Sequence, residues 1–377
     1  MTDKSFNPKI LMLGTRGIPA AHGGFETFVE QLAPHLAKRG WDVSVYCQDE
    51  GNKPIWTNKY QGVTLIHVPV NGRGVKSTVF FDWKAMRHAL RSEGLLLSFG
   101  YPTGAFAVIP RLYKRRHVIN MDGIEYRRSQ FGNIGKLAYY INERLAAFFA
   151  NQLIADHPCI ANHLATRTPR RKIATIAYGA EEIDNSDPSC LSSFGVVPDR
   201  YSVVIARPEP DNSILELVRA FSRRVRERKL VVLGNFSDRN KYHSAVKAAG
   251  SHEVVFPGAI YEKRVLHALR KNARFYAHGH RVGGTNPSLV EALGAGNAIL
   301  ANDNKFNRWV ADKAAVYFRT EDEIDHLMNV LFTDDALVEG LRVQAIQRFL
   351  CNFTWPKILG EYEELLYAEA RLDRQSY

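Results

Sequence analysis

The stretch HGHRVGGTNPSLVE, His278 to Glu291, decides how the rest of the chain is read. It follows an apolar run, Ala273 to Ala277, with the character of a buried strand. It runs into SLVEALGAG, a helical start closed by glycine. A strand–loop–helix junction of this kind aims backbone N–H groups at whatever sits before the helix, where the partial positive charge favours phosphate. Pro287 suits the first helical turn, since its missing donor would have had no partner there. Glu291 falls about one turn into the helix, where a carboxylate can reach sugar hydroxyls beside a bound diphosphate. The stretch therefore predicts a nucleotide-sugar site.

Outward from this stretch the chain alternates strands and helices. Tyr201 opens a strand pattern, YSVVIAR, followed by a helix from about Ile214 to Arg228, and KLVVLGNF. The strand EVVFPGAI, a helix from Glu262 to Asn272, and the strands NAILAND and AAVYF continue it. Upstream, KILML (9–13), the glycine loop GTRGIPAAHGG, the helical FETFVEQLAPHLAKRG and the strand WDVSVYCQ form a βαβ unit. Pro34 is expected to kink that helix. VTLIHVPV, GLLLSFG, RHVINMDG and NQLIADH are further strands, with a long helix from about Ile134 to Ala150. The prediction is an α/β chain of two Rossmann-like domains with parallel sheets. The first spans 1–180, a Ser-, Pro- and Asp-rich linker 181–200, and the second domain 201–355. A last helix, 356–377, is expected to cross back to the first domain. Ligands of such sheets lie outside the carboxyl ends of the strands. Two domains facing each other would bring these loops together in a cleft.

The chain has 377 residues, 45% hydrophobic and 24% charged, as in soluble globular proteins. No run of 18 apolar residues suggests a membrane span, and the first apolar segment is too short for a signal peptide. The four cysteines, Cys47, Cys159, Cys190 and Cys351, lack metal-like spacing and read as reduced thiols of a cytoplasmic protein. The net charge of +11 is one-sided. Residues 1–178 hold 24 Lys and Arg against 12 Asp and Glu, whereas 179–377 hold 26 against 27. The excess gathers in RLYKRRH (111–117), Tyr126-Arg127-Arg128 and RTPRRK (167–172). An anionic membrane leaflet, a lipid diphosphate or nucleic acid would suit such a surface, and so would solvent alone. Tyr113 and Tyr126 are the only Phe, Tyr or Trp rings in these clusters, too few to interleave as a stacking platform, which argues against nucleic acid.

Several chemistries drop out. Gly14, Gly17, Gly23 and Gly24 do not form the dinucleotide fingerprint. No D-x-D is present to chelate a metal, and GNIGKL (132–137) lacks the glycine and hydroxyl residue of a phosphate loop. His278 and His280 are spaced to point to opposite sides of a strand, which disfavours a metal pair. Arg207, directly after VVIA, can pair bidentately with a diphosphate. Asp122 and Glu125, in NMDGIEYRR, can orient or deprotonate an acceptor hydroxyl, or equally pair with Arg127 and Arg128.

Taken together, GTRGIPAAHGGFETFVEQLA, NMDGIEYRR, AYGAEE and HGHRVGGTNPSLVEAL resemble a subgroup of glycosyltransferase family 4 that includes bacterial rhamnosyltransferases of polysaccharide assembly. The resemblance spans nearly the whole chain. It implies the GT-B fold, a nucleotide-diphosphate sugar held mainly by the C-terminal domain, and retaining transfer without an essential metal or other cofactor. By position, the diphosphate-binding arginine falls on Arg207 and the ribose-binding glutamate on Glu291. Gly283, Gly284, Thr285, Asn286 and Pro287 would line sugar and diphosphate. Gly23 and Gly24 would face the donor from the first domain, and Asp122 and Glu125 match the N-x-D-G-x-E segment near the acceptor. The expected catalytic set is thus Asp122, Glu125 and Arg207. The donor-binding set is Gly23, Gly24, Arg207, His280, Gly283, Gly284, Thr285, Asn286 and Glu291.

Two departures bear on the sugar. Gly283 stands where the wider family has a glutamate, and PEPDN stands where it has a lysine. A site relieved of that carboxylate would suit a deoxy sugar such as rhamnose, with mannosyl or glucosyl transfer as the alternative. The expected acceptor is a saccharide or polyprenyl-diphosphate-linked saccharide, reached in the cytoplasm or at the inner face of the membrane. A nucleotide-sugar epimerase of the same fold and a non-catalytic nucleic-acid binder are the rival classes.

Overall fold

The computed structural model describes residues 7–20, 23–72, 74–128, 131–184 and 186–374. The chain divides into two compact units. One comprises residues 1–127, 131–177 and 355–377; the other comprises 128–130 and 178–354.

The first unit runs β1 (Lys9–Leu13), α1 (Gly24–Lys38), β2 (Asp42–Glu50), β3 (Trp56–Tyr60), β4 (Val63–Val70), α2 (Val75–Ala89) and β5 (Leu95–Phe99). It continues through α3 (Val108–Leu112), β6 (His117–Asn120), α4 (Asn133–Phe149), β7 (Gln152–Ala155), α5 (Pro158–Leu164) and β8 (Ile173–Thr175). The sheet order is β3-β4-β2-β1-β5-β6-β7-β8, parallel except for β3. KILML reads as a buried strand because four of its five residues are fully covered by helices on both faces. α1 buries Phe28, Val29, Leu32 and Leu36 and runs on through Pro34 to Lys38. The edge strand β3 was illegible in the sequence. Trp56, Thr57, Asn58 and Lys59 are all exposed, so no apolar alternation marks it. Trp56 lies flat on His67 of β4, ring centroids 3.8 Å apart.

The second unit runs β9 (Tyr201–Ile205), α6 (Ile214–Ser222), β10 (Lys229–Leu233), α7 (Lys241–Ala249), β11 (Val254–Gly258), α8 (Lys263–Lys271) and β12 (Phe275–His278). It continues with α9 (Pro287–Gly294), β13 (Ala298–Asn302), α10 (Lys305–Ala311), β14 (Ala315–Phe318), α11 (Glu321–Thr333) and α12 (Asp335–Asn352). Its sheet is β11-β10-β9-β12-β13-β14, every observed pairing parallel. α6 stops at Ser222, six residues before its periodicity suggests. Arg226 ends it: Nε donates to the Phe221 carbonyl at 3.0 Å and Nη2 to that of Ala220 at 3.1 Å. The stretch read as a linker is folded onto this unit. Ile183, Leu191 and Val196 are buried, and the Ile183 N–H donates to the Gly294 carbonyl at 2.9 Å.

The last helix, α13 (Trp355–Arg374), belongs to the first unit. Tyr362 packs on Phe28 at 4.7 Å between centroids, and its hydroxyl accepts from Asn120 Nδ2 at 2.7 Å. Glu369 and Asp373 take Arg116, at Nε and at the backbone N–H, both at 2.9 Å. The basic cluster 111–117 is thereby split. Arg115 is buried against the Ser92 and Gly94 carbonyls and Arg116 is tied to α13, which leaves Arg111 and Lys114 exposed. Among the described residues, no helix is long and apolar enough to cross a membrane.

Candidate functional site

In each sheet the chain leaves one strand to both sides, and at such a point the two outgoing loops part and open a crevice. In the second unit the point lies between β9 and β12, because β9 leads through α6 to β10 on one side and has β12 on the other. The loops after these strands, 206–213 and 279–286, carry the residues singled out above.

Local bonds bring the two loops together. The Ile205 carbonyl, at the end of β9, accepts from Tyr276 Oη at 3.1 Å and from Ser288 Oγ at 3.0 Å. The start of α9 is thus tied to the strand that delivers Arg207. PEPDN folds into a short 3-10 turn, Pro210–Asn212, and Asn212 Nδ2 returns a hydrogen bond of 2.8 Å to the Arg207 carbonyl. Arg281 bridges from the other loop: its N–H donates to the Asp211 carbonyl at 2.9 Å and its Nε to Ser213 Oγ at 2.8 Å. Gly279 is required by this contact. A Cβ there would lie 2.2 Å from the Asn212 carbonyl oxygen. Neither Arg281 nor Gly279 was singled out in the sequence, because what they touch is 65 or more residues away.

The Arg207 side chain is exposed and, among the described residues, makes no ion pair. Asn286 caps α9, its Oδ1 accepting from the Ser288 N–H at 3.0 Å, with Pro287 in the first turn. Thr285 is buried beside it. An exposed guanidinium and a helix N-terminus on neighbouring loops are groups of the kind that can hold an anion.

The two histidines correct the expectation that they point apart. β12 ends at His278, so strand alternation does not extend to His280. The rings stack, centroids 4.2 Å apart and planes at 11°. Burial holds His278 well below the ordinary imidazole range. Burial, aided by the nearby Arg207 charge, pushes His280 down to about 3. Both are therefore neutral near pH 7. Both ring nitrogens of His278 and Nδ1 of His280 are buried without a partner among the described residues, which marks them as capable of accepting a polar ligand or water. The His280 carbonyl is spoken for by Asn304 Nδ2 and Asn307 Nδ2, each at 2.9 Å.

Gly283 has φ of +147°, with open space where a Cβ would project. The absence of a glutamate there is thus built into the backbone: an L side chain would be strained, although nothing blocks it. Gly284 follows in the same half-buried loop. Glu291 lies half-buried on α9, and its Oε2 accepts from Arg270 Nη2 of α8. Among the described residues Oε1 has no partner and can take a hydroxyl.

The first unit presents its own crevice between β1 and β5. Gly23 precedes α1 with φ of +110°, and a Cβ there would meet Glu26 Oε2 at 2.1 Å. Gly24 opens the helix. Glu26 folds back so that Oε1 accepts from the Arg16 N–H at 3.0 Å, placing a carboxylate of the chain itself at this helix start. Residues 21 and 22 of the loop lie outside the described residues. At the end of β6, Asn120 Oδ1 accepts from the Asp122 N–H at 3.0 Å, which holds Asp122 at φ of +51°. Buried Tyr101 gathers the next turn: its hydroxyl donates to the Gly123 carbonyl at 2.9 Å and accepts from the Glu125 N–H at 2.8 Å. The N-x-D-G-x-E segment is therefore a rigid turn presenting two carboxylates. Tyr126, the next residue, packs edge-on against Tyr140. Behind it, buried Glu143 accepts from His163 at 2.9 Å and Arg167 at 3.1 Å.

A narrow cavity at the ends of β1 and β5 is lined by Gly14, Ser98, Thr103, Asp82 and His117. Neither Asp82 nor His117 belongs to a sequence motif, so nothing in the sequence marks them. Thr103 Oγ1 donates to Asp82 at 2.8 Å, and burial raises Asp82 to about 6. Ser98 Oγ lies 2.8 Å from His117 Nε2, and burial lowers that imidazole to about 3. Among the described residues no group of three or more His, Cys, Asp or Glu converges to hold a metal ion.

Residues 7–181 match the family model described as "Domain of unknown function (DUF1972)". No curated protein matches the chain. Among solved structures, the chain is similar to sucrose-phosphate synthase from Thermosynechococcus elongatus, with 16% identity, 96% of this chain and 100% of that one covered, and a TM-score of 0.80. It is similar to Anabaena HepE in complex with UDP, at 15% identity, 96% and 100% coverage, and a TM-score of 0.73. A UDP-forming trehalose-phosphate synthase from Burkholderia xenovorans, in complex with glucose-6-phosphate, aligns at 10% identity, 96% and 100% coverage, and a TM-score of 0.74. The chain has the fold these proteins share, GT-B, with two Rossmann-like α/β domains.

Proposed function

We propose that the protein is a glycosyltransferase that moves a sugar from a nucleotide-diphosphate donor to a saccharide or lipid-linked saccharide acceptor. The observation that carries this reading is the Ile205 carbonyl, which ties the start of α9 to the strand bearing Arg207. That pairing offers fixed positive charge to a diphosphate leaving group, where charge grows in the transition state. Solved structures of the same fold support it through what they hold: HepE with UDP-glucose, and trehalose-phosphate synthase with glucose-6-phosphate.

In this reading the acceptor hydroxyl oxygen attacks the anomeric carbon from the side of the departing diphosphate. The C–O bond to phosphate breaks, and the departing phosphate oxygen takes the hydroxyl proton. Configuration is retained, and no essential metal is needed because Arg207 and the helix N-terminus carry the charge. Asp122 and Glu125 position the acceptor on their rigid turn, while Glu291 takes ribose hydroxyls through Oε1. Gly283 removes a carboxylate that would grip the sugar, which favours a deoxy sugar such as rhamnose over mannose or glucose.

Incubation with a panel of nucleotide sugars, with and without saccharide and polyprenyl-diphosphate acceptors, tests the proposal. Donor hydrolysis and glycosylated product, undiminished by a chelator, are expected. Interconversion of donor sugars without any acceptor would instead identify an epimerase.

A further inference from the structure

α4 is buried on one face and apolar on the opposite, exposed one. Glu143, Ala146 and Ala147 turn inward and are buried. On the other side Ile134 is 88% exposed, Leu137 58%, Ile141 47% and Phe148 70%. At 3.6 residues per turn these four fall within about 60° of one another, so they form a single stripe along the helix. α3 packs against α4, and Leu112 at its end and Tyr113 just after it are both largely exposed. An exposed apolar patch of this extent marks an interaction surface.

Cations gather at one end of the stripe. Lys172 Nζ donates to the Ala150 carbonyl at 2.9 Å and to that of Phe148 at 3.4 Å, which brings the turn Arg170–Lys172 to the end of α4. Arg170 and Arg171 arrive with that turn, and α3, which carries Arg111, packs against α4. Arg111 and Lys114 on and after α3, and Arg170 and Arg171, are all exposed. Arg144 borders the stripe, its guanidinium 4.9 Å from the Tyr140 ring. Glu143, a nearby carboxylate, is buried and engaged by His163 and Arg167, so it does not offset this surface charge.

An apolar stripe beside unopposed Lys and Arg is the pattern of a helix lying in the interface of an anionic bilayer. We propose that this face docks the protein on an anionic lipid leaflet, with the outer stripe of α4 among the acyl chains and Arg111, Lys114, Arg170 and Arg171 on the headgroups. The charge selects a bilayer over a second copy of this chain, which would bring the same cations against one another. The proposal deepens the lipid-linked reading of the acceptor, but its test stands without that reading.

Flotation of the full-length protein with phosphatidylglycerol/phosphatidylcholine vesicles, and with phosphatidylcholine alone, at low and high salt, reads it directly. Binding to the anionic vesicles at low salt is expected to exceed that to phosphatidylcholine by about tenfold or more, with most of it lost at high salt. Leu137→Asp/Ile141→Asp and Arg170→Glu/Arg171→Glu are each expected to weaken binding about tenfold with an unchanged circular dichroism spectrum, because these side chains face solvent. No binding at low salt, or variants that bind as the parent does, overturns the docking face. So does a concentration-dependent dimer in sedimentation that Leu137→Asp/Ile141→Asp disperses and vesicles do not compete with. Donor hydrolysis by the same variants without lipid is expected to match the parent. Lost docking with hydrolysis intact in the parent refutes this surface alone, whereas docking without hydrolysis in any protein refutes only the transferase.

Discussion

The imidazoles of His278, buried, and His280, half-buried, stack 4.2 Å apart at the end of β12, and both are neutral near pH 7. In the unfolded chain each would titrate near 6.5. Below that pH the unfolded state binds protons that the native state refuses, so stability is full above 6.5 and lost as pH falls toward the native values. His278→Leu, similar in volume and without orphaned nitrogens, is expected to flatten this acid slope. Urea midpoints measured at several pH values check it. A variant with the parent's slope would show that the stack does not govern acid stability.

Arg207→Ala should leave the fold intact, since the guanidinium is exposed and only the backbone carbonyl is engaged, by Asn212 Nδ2 and the Glu209 N–H. If Arg207 meets the leaving diphosphate, turnover falls about 10²- to 10³-fold, the usual effect of losing one preorganised donor. Arg207→Lys keeps the charge but not the fork, and is expected to fall between the two. Near-parental kcat for the alanine variant, with an unchanged circular dichroism spectrum, would remove Arg207 from the reaction.

Glu291 has two tasks that mutation must separate. It is the carboxylate partner of Arg270, whose side chain is only 4% exposed, while Glu291 itself is 35% exposed. Glu291→Ala is therefore expected to cost about 1–3 kcal/mol of stability, because a buried guanidinium loses its partner. Glu291→Gln keeps an acceptor for Arg270 but weakens the grip on ribose hydroxyls. Nucleotide affinity that falls in the glutamine variant while its urea midpoint holds supports the ribose role. Unchanged affinity leaves Glu291 with a structural role only.

The parts of this molecule legible in the sequence are those whose cause is local. Apolar runs closed by glycine, as in KILML and the strand before HGH, mark buried strands because both faces of a parallel sheet are covered. Asn286-Pro287 marks a helix start through a cap that reaches two residues. What escaped depends on distant partners or on none. β3 carries no apolar face, and α6 ends where Arg226 returns to its carbonyls. The stack of His278 on His280 follows from where β12 stops, which spacing alone does not state. Asp82 needs α2 laid against β1 and β5 before it faces a cavity at all.

Asp82 supplies the last test. Burial raises its carboxyl from 3.8 to about 6, even as Thr103 donates to the ionised form. The native state therefore holds a proton that the unfolded state has released. Stability is greatest below 3.8, declines as pH rises to about 6, and is lower by a constant amount above it. About two pKa units correspond to about 3 kcal/mol, an upper figure for a side chain that retains some solvent. Asp82→Asn keeps an acceptor for Thr103 and removes the charge. It is expected to raise the melting temperature at pH 7.5 and to match the parent near pH 4. Loss of transfer activity in this stabilised variant would show that the ionised carboxyl serves the acceptor side, whereas a melting temperature below the parent's at pH 7.5 would refute the buried-charge account.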